Sequence, residues 1–98
     1  MLWHIYILLC DQKTYYVGLT SNIPQRLKSH KLKNNLATKK FFDILLVYSE
    51  NFTTRKQAEL REKQLKKWSS AKKKALIDGN KPLLVRLSKT RSLLKNGD

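Results

Sequence analysis

Two β-rich runs, Leu2 to Cys10 and Thr14 to Leu19, flank the tripeptide Asp11-Gln12-Lys13, and that arrangement predicts a β-hairpin. Side chains alternate faces along a strand. Trp3, Ile5, Ile7 and Leu9 therefore share one side, His4, Tyr6 and Leu8 the other, and Tyr16 and Gly18 share a face of the second strand. A three-residue loop sets Cys10 opposite Thr14, Leu8 opposite Tyr16 and Tyr6 opposite Gly18. Both tyrosines then stand on one face as diagonal neighbours, with Gly18 leaving room beside them.

Beyond the hairpin, Ser21-Asn22 can cap a helix that admits Pro24 in its first turn, so helix 1 is expected from Ile23 to Lys33. Ile23, Leu27 and His30 fall on its core-facing stripe, and Arg26 lies beside that stripe one turn before His30. Asn34 to Lys40 reads as a basic loop and Phe41 to Ser49 as a third strand. Thr54 with Gln57 fits a capping box that opens helix 2, expected to continue to about Trp68. Ala58, Leu65 and Trp68 mark its inner face, and Glu62 lies on that face, where a carboxylate needs a partner. A short helix from Ala71 to Ile77 follows, and Asn80 to Asp98 reads as a basic tail.

Ninety-eight residues make one domain with a modest core, which limits the architecture to one layer of sheet and a few helices. Twenty-one Lys and Arg stand against seven Asp and Glu, a formal net charge of +14. That is far more than solubility requires, and a polyanion is the natural partner. Residues 51 to 98 carry a net +10 against +4 for residues 1 to 50, so the C-terminal half supplies most of the attraction. Solvated lysine faces are the plainer reading of the same residues. Cys10 is the only cysteine, which excludes an intramolecular disulfide and a cysteine metal cluster and fits a reducing cytosol. The apolar opening Met1 to Cys10 lacks a basic start, contains His4 and Tyr6, and is too short to span a bilayer, so it reads as a strand of the mature protein.

Tyr6, Tyr16, Arg26, His30 and Glu62 together carry the chemistry of phosphodiester cleavage. An aromatic hydroxyl and an imidazole can move protons, a guanidinium can hold a phosphate, and a lone carboxylate can anchor a hard divalent cation. Each also has an ordinary reading: strand tyrosines, a surface arginine, a satisfied core histidine, a helix carboxylate paired with an arginine. Five such readings would have to coincide on positions that point toward one region. Lys66, Lys67, Lys72, Lys73 and Lys74, with the basic tail, are candidates for holding a nucleic-acid backbone.

The triplet His4-Ile5-Tyr6, followed by Tyr16-Val17-Gly18 with its tyrosine ten residues after the first, resembles the paired signature of the GIY-YIG nuclease superfamily. Arg26 then lies ten residues after Tyr16, His30 four beyond that, and Glu62 within the helical stretch from Ala58 to Lys66. Over roughly residues 3 to 87 the chain is similar to the small stand-alone bacterial endonucleases of that superfamily and to the N-terminal nuclease domain of the repair excinuclease. The resemblance implies an α+β fold, a three-stranded antiparallel sheet flanked by helices, with the nuclease domain over residues 1–87 and a basic tail over 88–98. It also implies a Mg²⁺- or Mn²⁺-dependent DNA endonuclease acting in repair, recombination or DNA uptake, with its site on the sheet between helices 1 and 2. Carried over residue by residue, Tyr6 and Tyr16 help activate the attacking water and Arg26 binds the scissile phosphate. His30 assists proton transfer or phosphate positioning, and Glu62 ligates the metal.

Three departures accompany the match. His4 replaces the glycine of the first triplet. Asn80 stands where members place an asparagine, but Lys81 separates it from Pro82. Leu83-Leu84 occupies the place of a tryptophan. DNA is the expected partner, with single-stranded, double-stranded and branched forms all open, and neither a membrane nor a small-molecule cofactor is expected. A non-catalytic nucleic-acid-binding module on the same scaffold is the alternative. A basic ribosome- or RNA-associated protein would explain the charge but not the ordered set, and metal-dependent cleavage separates the first reading from both.

Overall fold

The computed structural model describes residues 1–33 and 38–95, with the side chains of 1–33 and 38–88. It divides into two compact units, residues 1–67 and 68–98. The first contains β1 (Trp3–Cys10), β2 (Thr14–Thr20), α1 (Ile23–Lys31), β3 (Ile44–Phe52) and α2 (Arg55–Lys66), with the strands in the order β2-β1-β3. Both strand pairs are antiparallel. The hairpin takes the register its loop dictates: Cys10 pairs with Thr14, Leu8 with Tyr16 and Tyr6 with Gly18. Asp11 and Gln12 turn the chain at φ values of 52° and 60°, a left-handed conformation that aspartate tolerates better than most residues.

β1 is central, and its two faces serve different helices. On one face Tyr6, Leu8, Cys10 and Ile44 form a buried cluster against which Ile23 and Leu27 of α1 pack, together with Tyr16, Phe41 and Leu46. The other face carries Ile5 and Ile7, both fully buried, and the β3 residues opposite them, Glu50 and Tyr48. A register shift makes this division possible. Leu8 pairs with Leu46 but Ile7 pairs with Tyr48, so Val47 is an extra residue in β3. Directly paired residues share a face, so Ile44 and Leu46 turn toward α1, whereas Tyr48 and Glu50 turn the other way.

α2 covers that second face. Arg61 grips Glu50 with a two-pronged contact, Nε to Oε1 and Nη2 to Oε2, each 2.9 Å. The Tyr48 hydroxyl donates to the same carboxylate. Near the start of α2 the Arg55 guanidinium lies 5.1 Å from the centre of the Trp3 ring. Ala58 and Leu65, the expected inner positions, are fully buried.

Helix starts follow the sequence closely. Asn22 caps α1 by accepting from Gln25 N at 3.1 Å, and Thr54 caps α2 by accepting from Gln57 N at 3.2 Å. Four ends differ from expectation by two residues or more. α1 stops at Lys31 instead of Lys33 because Lys33 takes φ 63° and returns its N–H to His30 O. β3 begins at Ile44 instead of Phe41, since Phe42 N and Asp43 N are engaged by the Asp11 side chain. It then continues through Phe52, because Ser49 to Phe52 pair with Trp3 to Tyr6 despite their polar composition. α2 ends at Lys66, with Lys67 as its cap, short of Trp68.

The second unit holds α3 (Ser70–Ile77) and α4 (Lys81–Lys95). Gly79 at φ 68° closes α3, with Asn80 N bonded to Ala75 O and Gly79 N to Leu76 O in the Schellman pattern. The stretch read as a tail is therefore helical from Lys81 to Lys95. Its signals are plain in retrospect: Asn80 caps it through Leu83 N at 3.2 Å, and Pro82 falls in the first turn. Residues 96–98, the side chains of Leu93 and Leu94, and residues 34–37 of the expected basic loop lie outside the described residues. Among the described residues no helix is long and apolar enough to cross a membrane.

The Glu50–Arg61 contact gives a stability test. Burial pushes the Glu50 carboxyl up, but hydrogen bonds from Arg61 and Tyr48 outweigh it and hold the group below its ordinary value. A depressed carboxyl stabilises the fold above its unfolded value, about 4.3, and loses that contribution as pH falls through the folded value. Glu50→Gln should therefore cost about 1–3 kcal/mol at pH 7, and the gap from the parent should shrink in acid. Urea unfolding at pH 7 and pH 3.5 checks this, and equal midpoints at pH 7 would refute it.

Candidate active site

The five singled-out residues all belong to the first unit: Tyr6 on β1, Tyr16 on β2, Arg26 and His30 on α1, and Glu62 on α2. Three of them meet in a tight aromatic cluster. The Tyr6 and Tyr16 ring centres lie 6.3 Å apart, and that of His30 lies 5.8 Å from Tyr6 and 5.2 Å from Tyr16. Gly18 makes this packing possible, since a Cβ there would collide with both Cζ and the hydroxyl of Tyr6. Any side chain at that position would push the tyrosine out of place.

Within the cluster a hydrogen-bonded chain runs from Tyr6 through His30 to Thr38. The Tyr6 hydroxyl lies 2.8 Å from His30 Nε2, and His30 Nδ1 lies 2.7 Å from Thr38 Oγ1. His30 and Thr38 are fully buried and Tyr6 is 2% exposed. Burial and then the Arg26 charge lower the His30 pKa, so the imidazole is neutral at neutral pH and carries one donor and one acceptor. A hydroxyl stands at each ring nitrogen and can donate or accept, so either tautomer completes the chain. Burial pushes the Tyr6 phenol well above its usual range, and the neighbouring Tyr16 and the Glu62 charge add to the rise while Arg26 opposes it. Tyr6 is thus a phenol that resists ionisation.

Charge is kept at the rim. Arg26 is exposed and, with Thr20, Ser21, Asn22, Gln25 and Ser29, lines a recess of about 330 Å³ at the start of α1. Among the described residues no carboxylate lies within 4.0 Å of its guanidinium. The Glu62 side chain is 20% exposed and has Lys66 Nζ at 3.5 Å. No group of three or more His, Cys, Asp and Glu gathers to hold a metal among the described residues. A single carboxylate suits a hard ion such as Mg²⁺, which keeps most of its waters and takes phosphate oxygens as ligands. Glu62 fits that donor set.

The remaining candidates are five lysines and Asn80. Lys66 and Lys67 are exposed at the end of α2. In the second unit, Lys72 lies 4.2 Å from the Trp68 ring centre and Lys74 pairs with Asp78 at 2.8 Å. Lys73 is half-buried, and burial lowers its ammonium pKa. Asn80 uses its side-chain oxygen to cap α4. Thr38 is the residue that sequence reasoning missed, because a hydroxyl eight positions after His30 in a basic loop follows no periodicity.

The buried histidine makes stability depend on pH in a defined direction. Its folded pKa lies below the unfolded value of about 6.5, so the native state is fully stable above that value and loses stability as pH falls through it. His30→Gln should flatten this dependence. Thr38→Val, which strands Nδ1 in the interior, should cost about 1–3 kcal/mol. Denaturant unfolding at pH 7.5 and pH 5.5 measures both effects, and a Thr38→Val protein as stable as the parent would remove Thr38 from the chain of bonds.

Comparison with known proteins finds a family profile, sequence relatives and similar solved structures. Residues 2–75 match the sequence profile of the GIY-YIG catalytic domain. A UPF0213 protein of Syntrophus aciditrophicus is 39% identical over 79 residues, covering 79% of this chain and 91% of that protein. One from Desulfotalea psychrophila is 34% identical over 77 residues, covering 76% of this chain and 70% of that protein. The solution structure of a UPF0213 protein from Bacillus halodurans matches with a TM-score of 0.52 at 29% identity, over 80% of this chain and 84% of that one. An E. faecalis protein shares the fold with a TM-score of 0.58 at 24% identity, over 81% of this chain and 85% of that one.

Proposed function

The chain belongs to the GIY-YIG family of nuclease domains, and on that footing we propose that it is a Mg²⁺- or Mn²⁺-dependent endonuclease that hydrolyses DNA phosphodiester bonds in repair, recombination or DNA uptake. The observation that carries this reading is the buried Tyr6–His30–Thr38 chain beside an Arg26 that has no carboxylate partner among the described residues. A purely structural histidine needs its nitrogens satisfied, but it does not need an exposed arginine whose charge adds to the burial that lowers its pKa.

The roles follow from burial and charge. Tyr16 is half-buried whereas Tyr6 is closed off, so Tyr16 is the tyrosine that a water can reach and orient upon. Tyr6 resists ionisation and therefore works by passing protons on: as its own proton moves to His30 Nε2, its oxygen takes one from the neighbouring Tyr16 hydroxyl, which takes one in turn from the attacking water. His30 is neutral and can accept that proton, with Thr38 stabilising the imidazolium through Nδ1. Arg26 binds a phosphate oxygen and stabilises the charge that builds there. Glu62 would hold the metal, which when bound supplies Lewis-acid stabilisation. The lysines at the end of α2 and on α3 supply sequence-independent backbone contacts.

One observation favours the alternative of a binding module without turnover, namely the Lys66 ammonium beside Glu62. That pair is 3.5 Å long with Lys66 55% exposed, and contacts of this kind contribute at most about 1 kcal/mol. It does not hold the carboxylate against a divalent ion.

Cleavage of labelled DNA with Mg²⁺ or chelator tests the reading. Glu62→Ala should abolish cleavage and spare binding, because it removes an anion that faces a polyanion. Arg26→Lys should lower the rate by on the order of 10²- to 10³-fold, since lysine lacks the planar fork. Full activity in either variant removes that role. Single-turnover rates should also separate the tyrosines. Tyr6→Phe removes the hydroxyl bonded to His30 Nε2, whereas a water can stand in for the Tyr16 hydroxyl on the solvent side, so we expect the larger loss at Tyr6. Parent-like cleavage by both would make the hydroxyls structural.

A further inference from the structure

Phe41 and Phe42 are adjacent and have opposite fates. Phe41 packs against the Tyr6–Leu8–Cys10–Ile44 cluster, with the Lys40 ammonium 5.3 Å from its ring centre. Phe42 is 94% exposed. An exposed aromatic on a floppy loop would mean little, but this one is mounted on a fixed backbone. Asp11 Oδ1 accepts from Phe42 N at 2.9 Å and Asp43 N at 2.8 Å, while Asp11 N donates to Asp43 O at 2.7 Å. Phe41 N donates to Thr38 O at 3.1 Å, and Lys33 Nζ donates to Phe41 O. The same segment begins at Thr38, whose side chain is bonded to His30. Phe42 lies four residues on, at most about 14 Å away even if the chain were fully extended. Lys39 and Lys40, between them, are exposed. Asp43 is the one carboxylate in the segment, and the Asp11 carboxylate is occupied by backbone N–H groups.

An exposed aromatic on a fixed backbone and two cations in one short segment, whose first residue is bonded to His30, make the arrangement of a single-strand site, in which a base stacks and the backbone is held by charge. We propose that Phe42 is a stacking platform for an unpaired nucleobase of the strand whose phosphate sits at the His30–Arg26 site, with Lys39 and Lys40 contacting that strand's phosphates. A base inside a duplex has both faces covered by its neighbours, so the platform is specific for unpaired nucleotides. The identity of the strand rests on the nuclease reading, whereas the stacking contact does not require turnover.

The test is equilibrium binding of the full chain to a labelled single strand and to a blunt, fully paired duplex of two strands, in chelator so that nothing is cleaved. Phe42→Ala should weaken single-strand binding roughly 5- to 100-fold and Phe42→Trp should restore it to within about 3-fold of the parent. Duplex binding should be unchanged, as should the melting temperature, because the ring is 94% exposed. Stacking releases no counterions, so the salt slope of Phe42→Ala should equal the parent's, while Lys39→Ala and Lys40→Ala should each reduce it by about 0.7. Unchanged single-strand binding by Phe42→Ala would overturn the proposal. Equal losses on the duplex would overturn it too, because the ring would then be a wedge between paired steps. If no DNA is cleaved under any condition but the selective loss appears, the nuclease reading fails and the platform stands. If cleavage is normal and the loss is absent, the platform alone fails.

Discussion

The bond between the Tyr6 hydroxyl and His30 Nε2 joins the central strand to α1 through the interior of the first unit, and much else is arranged around it. A buried imidazole must satisfy both nitrogens, because in a low-dielectric interior an orphaned polar atom is costly. Tyr6 takes one nitrogen and Thr38 the other, which brings the chain after α1 back against the helix. Among the described residues no buried side-chain nitrogen or oxygen is left without a partner. The turn from Thr38 to Phe41 follows from that requirement, and so does the assignment of Phe41 to the core. Gly18 belongs to the same constraint, since the Tyr6 ring reaches the histidine by lying over its bare backbone.

The site separates neutral groups from charged ones by depth. Tyr6 and His30 are buried and both are held uncharged, the first by a raised pKa and the second by a lowered one. Arg26 and Glu62 keep their charges nearer solvent, where hydration carries most of the cost. Arg26 acts on both buried groups in the same sense chemically: it favours loss of a proton from the phenol and opposes gain of one by the imidazole at rest. A phosphate bound at Arg26 would partly cancel that field, so substrate arrival would itself make His30 a better proton acceptor.

The hairpin was legible because three loop residues and strict alternation leave one register, and that register alone places the tyrosines together. His30 and Arg26 were legible from helical spacing against a clear apolar stripe, and Asn22 and Thr54 from their capping chemistry. Thr38 was not, because its role depends on how the chain folds back after α1, and no local pattern encodes that return. α4 was overlooked for a different reason. Its leucines at 83, 84 and 87 have helical spacing, but the dense lysine and arginine around them read as a basic tail.

β3 also carries a spare residue. Counting by two along it would put Leu46, Tyr48 and Glu50 on one side, yet Leu46 belongs with α1 and the other two with α2. Val47 absorbs the difference, since two residues there oppose what one would in a regular ladder. Loss of Val47 would leave Leu46 opposite Leu8 and Tyr48 opposite Ile7, each on its present face, and would only straighten the strand. Loss of Ser49 with the bulge kept would instead set Glu50 opposite Tyr6 and carry a carboxylate into an apolar layer. Chain length in this strand is therefore freest to vary at the bulge, and homologues that differ by a single-residue gap in β3 should place that gap at or beside Val47.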